Sequence, residues 1–553
     1  MRDLITAFRR RAATAPNGLF CHFRSQGLER SVTNAEAWRQ SVRYAHVYKR
    51  AGLREGEVIP IILKHAPDLY FAFLGAMLAR CIPTFMPFHS PKQDPARFWS
   101  DHRALFGRIG ARAVVTYCEN VNLLAANFPD ILAITPDQSA RMPCNWDAPD
   151  ISPDEIAFLQ HSSGTTGLKK GVLLSHRAVV AQVQRYADQL ALTEADVVVS
   201  WLPLYHDMGL IACFVTPLVV GASVVSLDAF EWVARPRLLF EAIQDRRGTH
   251  VWLPNFAFHH LCRTVDTSER LDLSGVKAFV DCSEPCRIET LEQFVSTFSP
   301  FGVRQEQCRV CYAMAETVFA VTQTPRQKEV GSILVDEDAL QCERAAPAGP
   351  GQPGRQVVSV GEPLPDVELR IVDKTGRTGP PATVGEVAVK APFLFSGYHG
   401  DPDRTSRKLR DGWYFTGDLG FLLDGELYLL GRTDDLLIIN GRNVFAHDVE
   451  FTIQNEVDLI KPGRCIALGL YNEDTGSQDL NIVAEAVAPS VNEALLKRQI
   501  KAAVLEAFGL VPREVTLVPS GWLAKSTSGK LTRDLNRRRY TELKQAAERA
   551  SVE

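Results

Sequence analysis

FLQHSSGTTGLKKGVLLSH (158–176) is the stretch from which the rest of the chain is best read. The apolar run EIAFLQ (155–160) has strand character and leads into Ser162, Ser163, Gly164, Thr165, Thr166 and Gly167. Lys169, Lys170 and Gly171 follow. Small residues let backbone N–H groups approach an anion closely, hydroxyls add donors, and a lysine supplies positive charge. That is the chemistry of a phosphate cradle. It is not the usual G-x-x-x-x-G-K-[ST] loop, because Lys169 stands where that pattern needs its second glycine. A surface turn rich in Ser, Thr and Gly has the same composition, so this stretch alone leaves both readings open.

Outward from it, short apolar runs alternate with helical spacing. VIPIIL (58–63), ARAVVTY (111–117), DVVVSWL (196–202), ASVVSL (222–227) and KAFVDC (277–282) are mostly β-branched, and Arg177 to Leu190 has a helical pattern. That order predicts an α/β fold with largely parallel sheets. Past Asp366 the style changes: VELRIVD, GEVAVKA and GELYLLGR alternate and are joined by Gly and Asp turns, predicting an antiparallel or β-barrel-like subdomain. After Arg432 comes a smaller α+β unit ending in a basic helix, Leu531 to Arg549. Residues 324–356, with PAGPGQPG at 347–354, read as the least structured part. Their G-x-G-x-x-G match is rejected as a dinucleotide motif, since no strand precedes it and Pro350 and Pro353 do not open a helix.

Lys plus Arg is 61 and Asp plus Glu is 65, a net charge of −4, which argues against a protein that coats nucleic acid. Gly209 to Leu227 is uncharged and long enough to span a bilayer, but Pro217 and Gly221 interrupt it, so a buried helix followed by a buried strand is expected. The start, MRDLITAFRRRAATAP, lacks a secretory apolar segment; Leu4, Ile5 and Phe8 fit an amphipathic helix better than a presequence. The twelve cysteines then read as reduced thiols of a cytoplasmic protein. Cys282-x₃-Cys286 and Cys308-x₂-Cys311 have loose zinc spacing, but single buried residues are the preferred reading.

The loop at 162–171 resembles that of the adenylate-forming superfamily, which includes acyl-CoA synthetases, nonribosomal adenylation domains and luciferases. The resemblance continues in family order through SWLPLYHDMGLI (200–211), THVWLPNFAF (249–258), DCSEPCR (281–287), CYAMAET (311–317), WYFTGDLG (413–420), GELYLLGRTDDLLIINGRN (425–443) and STSGKLTR (526–533). HDMGL and PNFAF are most similar to fatty acyl-AMP ligases. The resemblance implies a large N-terminal domain, 1–432, with subdomains at about 1–200, 201–360 and 361–432, and a small mobile C-terminal domain, 433–553, hinged at Asp434. It implies that ATP and a carboxylic acid form acyl-AMP with Mg²⁺ present, and that a phosphopantetheine thiol of an acyl carrier protein, or coenzyme A, then takes the acyl group.

The same resemblance implies roles for single residues. Lys530 bridges the carboxylate and the α-phosphate, from a flexible turn at 526–529. Glu316 holds Mg²⁺, a hard cation suited to one carboxylate plus phosphate oxygens. Ser162, Ser163, Gly164, Thr165, Thr166, Gly167, Lys170 and Thr317 hold phosphates. Ser283, Glu284, Pro285, Cys311 and Tyr312 form the adenine slot, and Asp418 with Arg432 holds the ribose. Trp252, Asn255, Phe256 and Met314 line the acyl pocket, and Gly441 marks the face that admits the thiol. His206 becomes a gate, because a carboxylate ionised at neutral pH needs no general base.

The chain departs from the family pattern at four places. Lys169 replaces the proline of Pro-Lys-Gly, Cys282 and Ser283 stand where Gly-Ala is usual, Ala313 replaces a glycine, and Ala524 precedes Lys525 where proline is common. Three readings stay open at this point: a fatty acyl-AMP ligase serving a carrier protein, an acyl- or aryl-CoA synthetase, and an acyl-adenylate binding protein without chemistry.

Overall fold

The computed structural model describes residues 2–89, 95–147, 149–162, 170–268, 270–352, 354–439, 441–473, 475–488, 490–525 and 530–552. Its centre is a nine-stranded sheet. Leu19–Ser25, Ser223–Leu227, Val197–Ser200, His250–Leu253, Ala278–Cys282 and Cys308–Ala313 run parallel side by side; antiparallel strands close both edges. Neighbouring residues on these strands alternate between two cores. Val198, Trp252, Val280 and Cys282 enter one; Val199, Val251, Leu253 and Phe279 enter the other. A strand buried on both faces has no polar side, which is why these segments read as continuous apolar runs.

Val58–Ile62, Ile82–Phe85, Ala113–Thr116 and Leu132–Ile134 make a second, fully parallel sheet. The first strand pair of the chain edges the nine-stranded sheet, so the layers draw on residues both before and after 200. Glu368–Val372, Gly385–Lys390, Leu409–Arg410, Trp413–Leu423 and Glu426–Arg432 form an antiparallel sheet, as their turns predict. After Arg432 the chain builds a separate core around Ile460–Asn472, Ser477–Ala486 and Glu514–Val518, covered by the helices Ala446–Glu456 and Glu493–Phe508. The uncharged stretch resolves into the π-helix Met208–Val215, the short helix Thr216–Val220, a left-handed Gly221 and the strand Ser223–Leu227. Among the described residues no helix is long and apolar enough to cross a membrane.

One expectation needs correcting. The segment 324–356, read as the least structured, holds regular structure: Ser332–Asp336 pairs antiparallel with Gly354–Val358, and a short helix, Glu337–Gln341, lies between. The pairing partners are too far apart in sequence for a tight-turn signal, and the Pro/Gly run between them masks the second strand. Val335, Ala345 and Val357 of this hairpin share an apolar cluster with Phe421, Tyr428, Leu430 and, beyond Arg432, Phe445.

Buried histidines set an acid limit on this fold. Burial is the largest influence on His176, His250 and His447 and lowers each to about 4. The native state therefore excludes a proton that the unfolded chain takes up below its ordinary value of about 6.5. Stability should be unaffected by these groups above that value and should fall as the pH drops from about 6.5 towards 4, by on the order of 2 kcal/mol per histidine at pH ~4.5. Urea midpoints across this range check it. His250→Asn should reduce the slope by about one proton, and an unchanged slope would show that His250 is already charged in the fold.

Candidate active site

The carboxyl ends of the central parallel strands are where an open α/β sheet offers a crevice. At the end of Ala278–Cys282 the chain turns through Ser283, whose φ is +73°. The Ser283 carbonyl oxygen thereby accepts a hydrogen bond from the Lys530 ammonium. Lys530 comes from the far end of the sequence and is exposed. Its turn, Ser526 to Gly529, lies outside the described residues, but the flanking Lys525 and Leu531 are bridged.

The next strand, Cys308–Ala313, leads into a tight turn, Ala315–Thr317. Val318 follows at φ +67° and ψ −56°, a conformation a β-branched side chain disfavours. The Phe319 N–H donates to the Thr317 carbonyl at 2.7 Å, and the Thr317 hydroxyl lies 3.1 Å from the Met314 carbonyl and 2.8 Å from that of Phe319. The strained turn presents the Glu316 carboxylate, 6% exposed, to the Tyr398 hydroxyl at 2.7 Å.

Lys170 opens the strand that pairs with Gly397–Tyr398, and its ammonium lies 5.6 Å from the centre of the Tyr398 ring. Burial lowers the Lys170 pKa, while Glu316 pulls it back up. Asp207 caps the π-helix by accepting the Met208 N–H at 2.8 Å. Gly209 is needed here, since a Cβ would sit 2.4 Å from the Pro203 oxygen. Burial raises the Asp207 carboxyl above the usual range, Lys530 opposes the rise and Glu316 adds to it. Lys530, Lys170, Glu316 and Asp207 therefore share one electrostatic neighbourhood, its two lysines drawn from distant segments. The His206 ring is 5.4 Å from the Tyr205 ring, next to that neighbourhood.

Asp418 and Arg432 are direct cross-strand partners. One Asp418 oxygen takes the Arg432 Nε at 3.0 Å and the other takes the Tyr312 hydroxyl. Asp418 is the leading cause that raises the Arg432 pKa, and burial raises that of Tyr312. Cys282 and Cys311 are register partners on neighbouring strands, both buried, and burial raises the Cys311 thiol. Glu284 accepts the Phe256 N–H at 3.1 Å; Pro285 beside it is exposed.

The expected residues do not all gather. Trp252 is sealed in one core with its indole N–H on the Tyr186 hydroxyl at 2.8 Å, because strand alternation turns it inward. Phe256 is 46% exposed and lies edge-on, 6.2 Å from Trp201, and Asn255 is half-buried at the start of the same helix. Met314 packs against both cores. These four do not line one open pocket. The Thr317 hydroxyl is committed within its own turn and is fully buried. Ser163, Gly164, Thr165, Thr166 and Gly167, and the side chain of Ser162, lie outside the described residues. Asp434 sits in the short turn Thr433–Asp435, and Gly441 is exposed at φ +78°. Tyr398 was missed by sequence reading; it lies in a two-residue strand with no patterned signal.

The sequence profile of the AMP-binding enzymes matches residues 8–399. A medium-chain-fatty-acid–[acyl-carrier-protein] ligase of Moorena producens is 31% identical over 444 residues, covering 77% of this chain and 74% of that protein. A long-chain-fatty-acid–AMP ligase of Mycobacterium bovis is 29% identical over 553 residues, covering 93% and 92%. A solved structure from work on the fatty acyl-adenylate ligases of E. coli and L. pneumophila superimposes with a TM-score of 0.91 at 26% identity, covering 99% of both chains.

Proposed function

Because this chain belongs to the AMP-binding enzyme family, we propose that it activates a fatty acid with ATP and delivers the acyl group to the phosphopantetheine thiol of an acyl carrier protein. A carboxylate oxygen attacks the α-phosphorus, the bond to the β-phosphate breaks, and pyrophosphate leaves. The thiol then attacks the acyl carbon, AMP leaves, and the thiol proton is lost to water. Both reactants of the first step are anions, so the barrier falls when fixed cations hold them together. The observation that carries the reading is Lys530 docked on the Ser283 carbonyl, within electrostatic reach of Asp207 beside Glu316.

In this reading Lys530 bridges the acid and the α-phosphate, and Lys170 adds charge at the phosphate loop. Asp418 takes the ribose hydroxyls, with Arg432 and Tyr312 orienting its two oxygens. Among the described residues no group of three or more His, Cys, Asp or Glu is arranged to hold a metal ion. Glu316 fits a Mg²⁺ that takes its other ligands from nucleotide phosphates and water, as that ion usually does. Mg²⁺ would supply charge neutralisation at the phosphates when bound.

The carrier-protein acceptor is supported by the hairpin 332–358. Gln341 exchanges two hydrogen bonds with the Asn443 backbone, at 3.0 and 2.7 Å, and the hairpin shares its apolar cluster with Phe445. These contacts join it to the segment after Asp434 and oppose the rotation that would bring Gly441 to the site. A carrier protein, with its own docking surface, can offset that cost better than free coenzyme A. The test is acyl-CoA against acyl-carrier product at saturating ATP. The intact protein should load a holo carrier protein and use coenzyme A poorly, and shortening the chain between Lys328 and Gly354 should raise acyl-CoA output. Efficient loading of coenzyme A by the intact protein would sink the carrier reading in favour of a CoA synthetase.

A further inference from the structure

Asp448 lies near the start of Ala446–Glu456, the first helix after Asp434. Its Oδ1 accepts from Arg287 Nη2 at 2.8 Å and its Oδ2 pairs with Arg355 Nη2 at 2.7 Å. The two arginines have separate origins. Arg287 ends the adenine-side segment that begins at Ser283, and Arg355 belongs to the hairpin strand Gly354–Val358. Each guanidinium also lies over an aromatic ring beyond the hinge: Arg287 is 4.2 Å from the centre of Phe451 and Arg355 is 4.8 Å from that of Phe445. Arg355 is anchored on its own side by the Leu430 carbonyl at 2.7 Å.

The junction is tightly packed. A Cβ on Gly431 would meet the His447 and Phe445 rings at 2.6 Å. Asp448 is only 13% exposed. Burial alone would raise its carboxyl, but Arg355, His447 and Arg287 hold it below the usual range, so it stays charged. Charge-assisted bonds of this kind, shielded from water, are the strong class of ion pair. Removing the carboxylate would leave two half-buried guanidinium groups facing each other without their shared counter-ion.

We propose that Asp448 is a positioning residue: its carboxylate ties the unit that carries Lys530 to Arg287 and Arg355 at once, and so holds Lys530 at the Ser283 carbonyl. The role rests on the acid-activation reading of the site and adds a single ionic latch to it. Because Arg287 is three residues from Glu284, the latch also links the adenine-side segment to the pose of the C-terminal unit. It must open before that unit can rotate.

The test compares the full-length wild type with Asp448→Asn. Acid-dependent pyrophosphate release should lose about tenfold in kcat, with KM for ATP changed less than about twofold, since Asp418 and Arg432 are untouched. The share of product appearing as acyl-CoA should rise several-fold. Equal losses in every product, or no change, would overturn the latch, because a purely structural role would not move the acceptor ratio. If Asp448→Asn fails to fold, Arg355→Met, which keeps the Arg287 pair, should shift the acceptor ratio in the same direction by less; an unchanged ratio overturns the proposal. Limited proteolysis of segment 433–441 reads the latch without any chemistry. Faster cleavage in Asp448→Asn supports it even if no acid is activated, and equal cleavage counts against it.

Discussion

Lys530→Ala should cut acid-dependent pyrophosphate release by about 10² to 10³, or about 2.7–4 kcal/mol of barrier, the usual loss when one preorganised donor is removed from developing charge. The fold should not notice. Lys530 is exposed, and its hydrogen bond is to the Ser283 carbonyl at the site. Asp207, whose carboxyl Lys530 partly stabilises in the charged form, would lose that support and keep a more strongly raised pKa. Transfer from pre-made acyl-AMP to a thiol should survive, because the proposed mechanism gives this lysine no part in that half-reaction. Stopped-flow or coupled pyrophosphate assays separate the two steps. Adenylation at the wild-type rate in Lys530→Ala would remove the residue from the mechanism.

Asp418→Ala should weaken ATP and AMP binding by about 1.5–3 kcal/mol, or roughly 10- to 150-fold, the range for hydrogen bonds to a charged group. Its two oxygens are oriented by Arg432 and Tyr312, so a ribose bound there, as proposed, would meet a fixed acceptor. Without the carboxylate, Arg432 loses the partner that most raises its pKa, and the Tyr312 hydroxyl loses its acceptor. Calorimetric titration with a non-hydrolysable ATP analogue reads the change directly. An unchanged affinity would reduce Thr416-Gly417-Asp418 to a turn.

The strands of the central sheet were legible because they are buried on both faces and so lack polar interruptions. Val197–Ser200 and Ala278–Cys282 fall inside the runs read from sequence. Asp418 and Arg432 were brought together by the family resemblance alone; in the fold a short turn sets their two strand ends in register. The site residues whose surroundings sequence did not announce are those whose side-chain direction depends on parity within a strand or on local strain. Trp252 differs from its neighbours Val251 and Leu253 only in which face it takes, and that face is sealed. Thr317 turns inward because Val318 adopts a left-handed backbone that no residue pattern announces. Asp448, Arg287 and Arg355 lie far apart in sequence, and only the docking of the C-terminal unit brings their charges together.

The most direct measurement is isotope exchange between pyrophosphate and ATP with a panel of carboxylic acids, run on the full-length protein. Acid activation at this site predicts exchange that is absent without acid, is strongest with fatty acids and is lost in Lys530→Ala. If the protein binds ATP but no acid in the panel supports exchange, then the site binds adenylates without making them, and the ligase reading is contradicted.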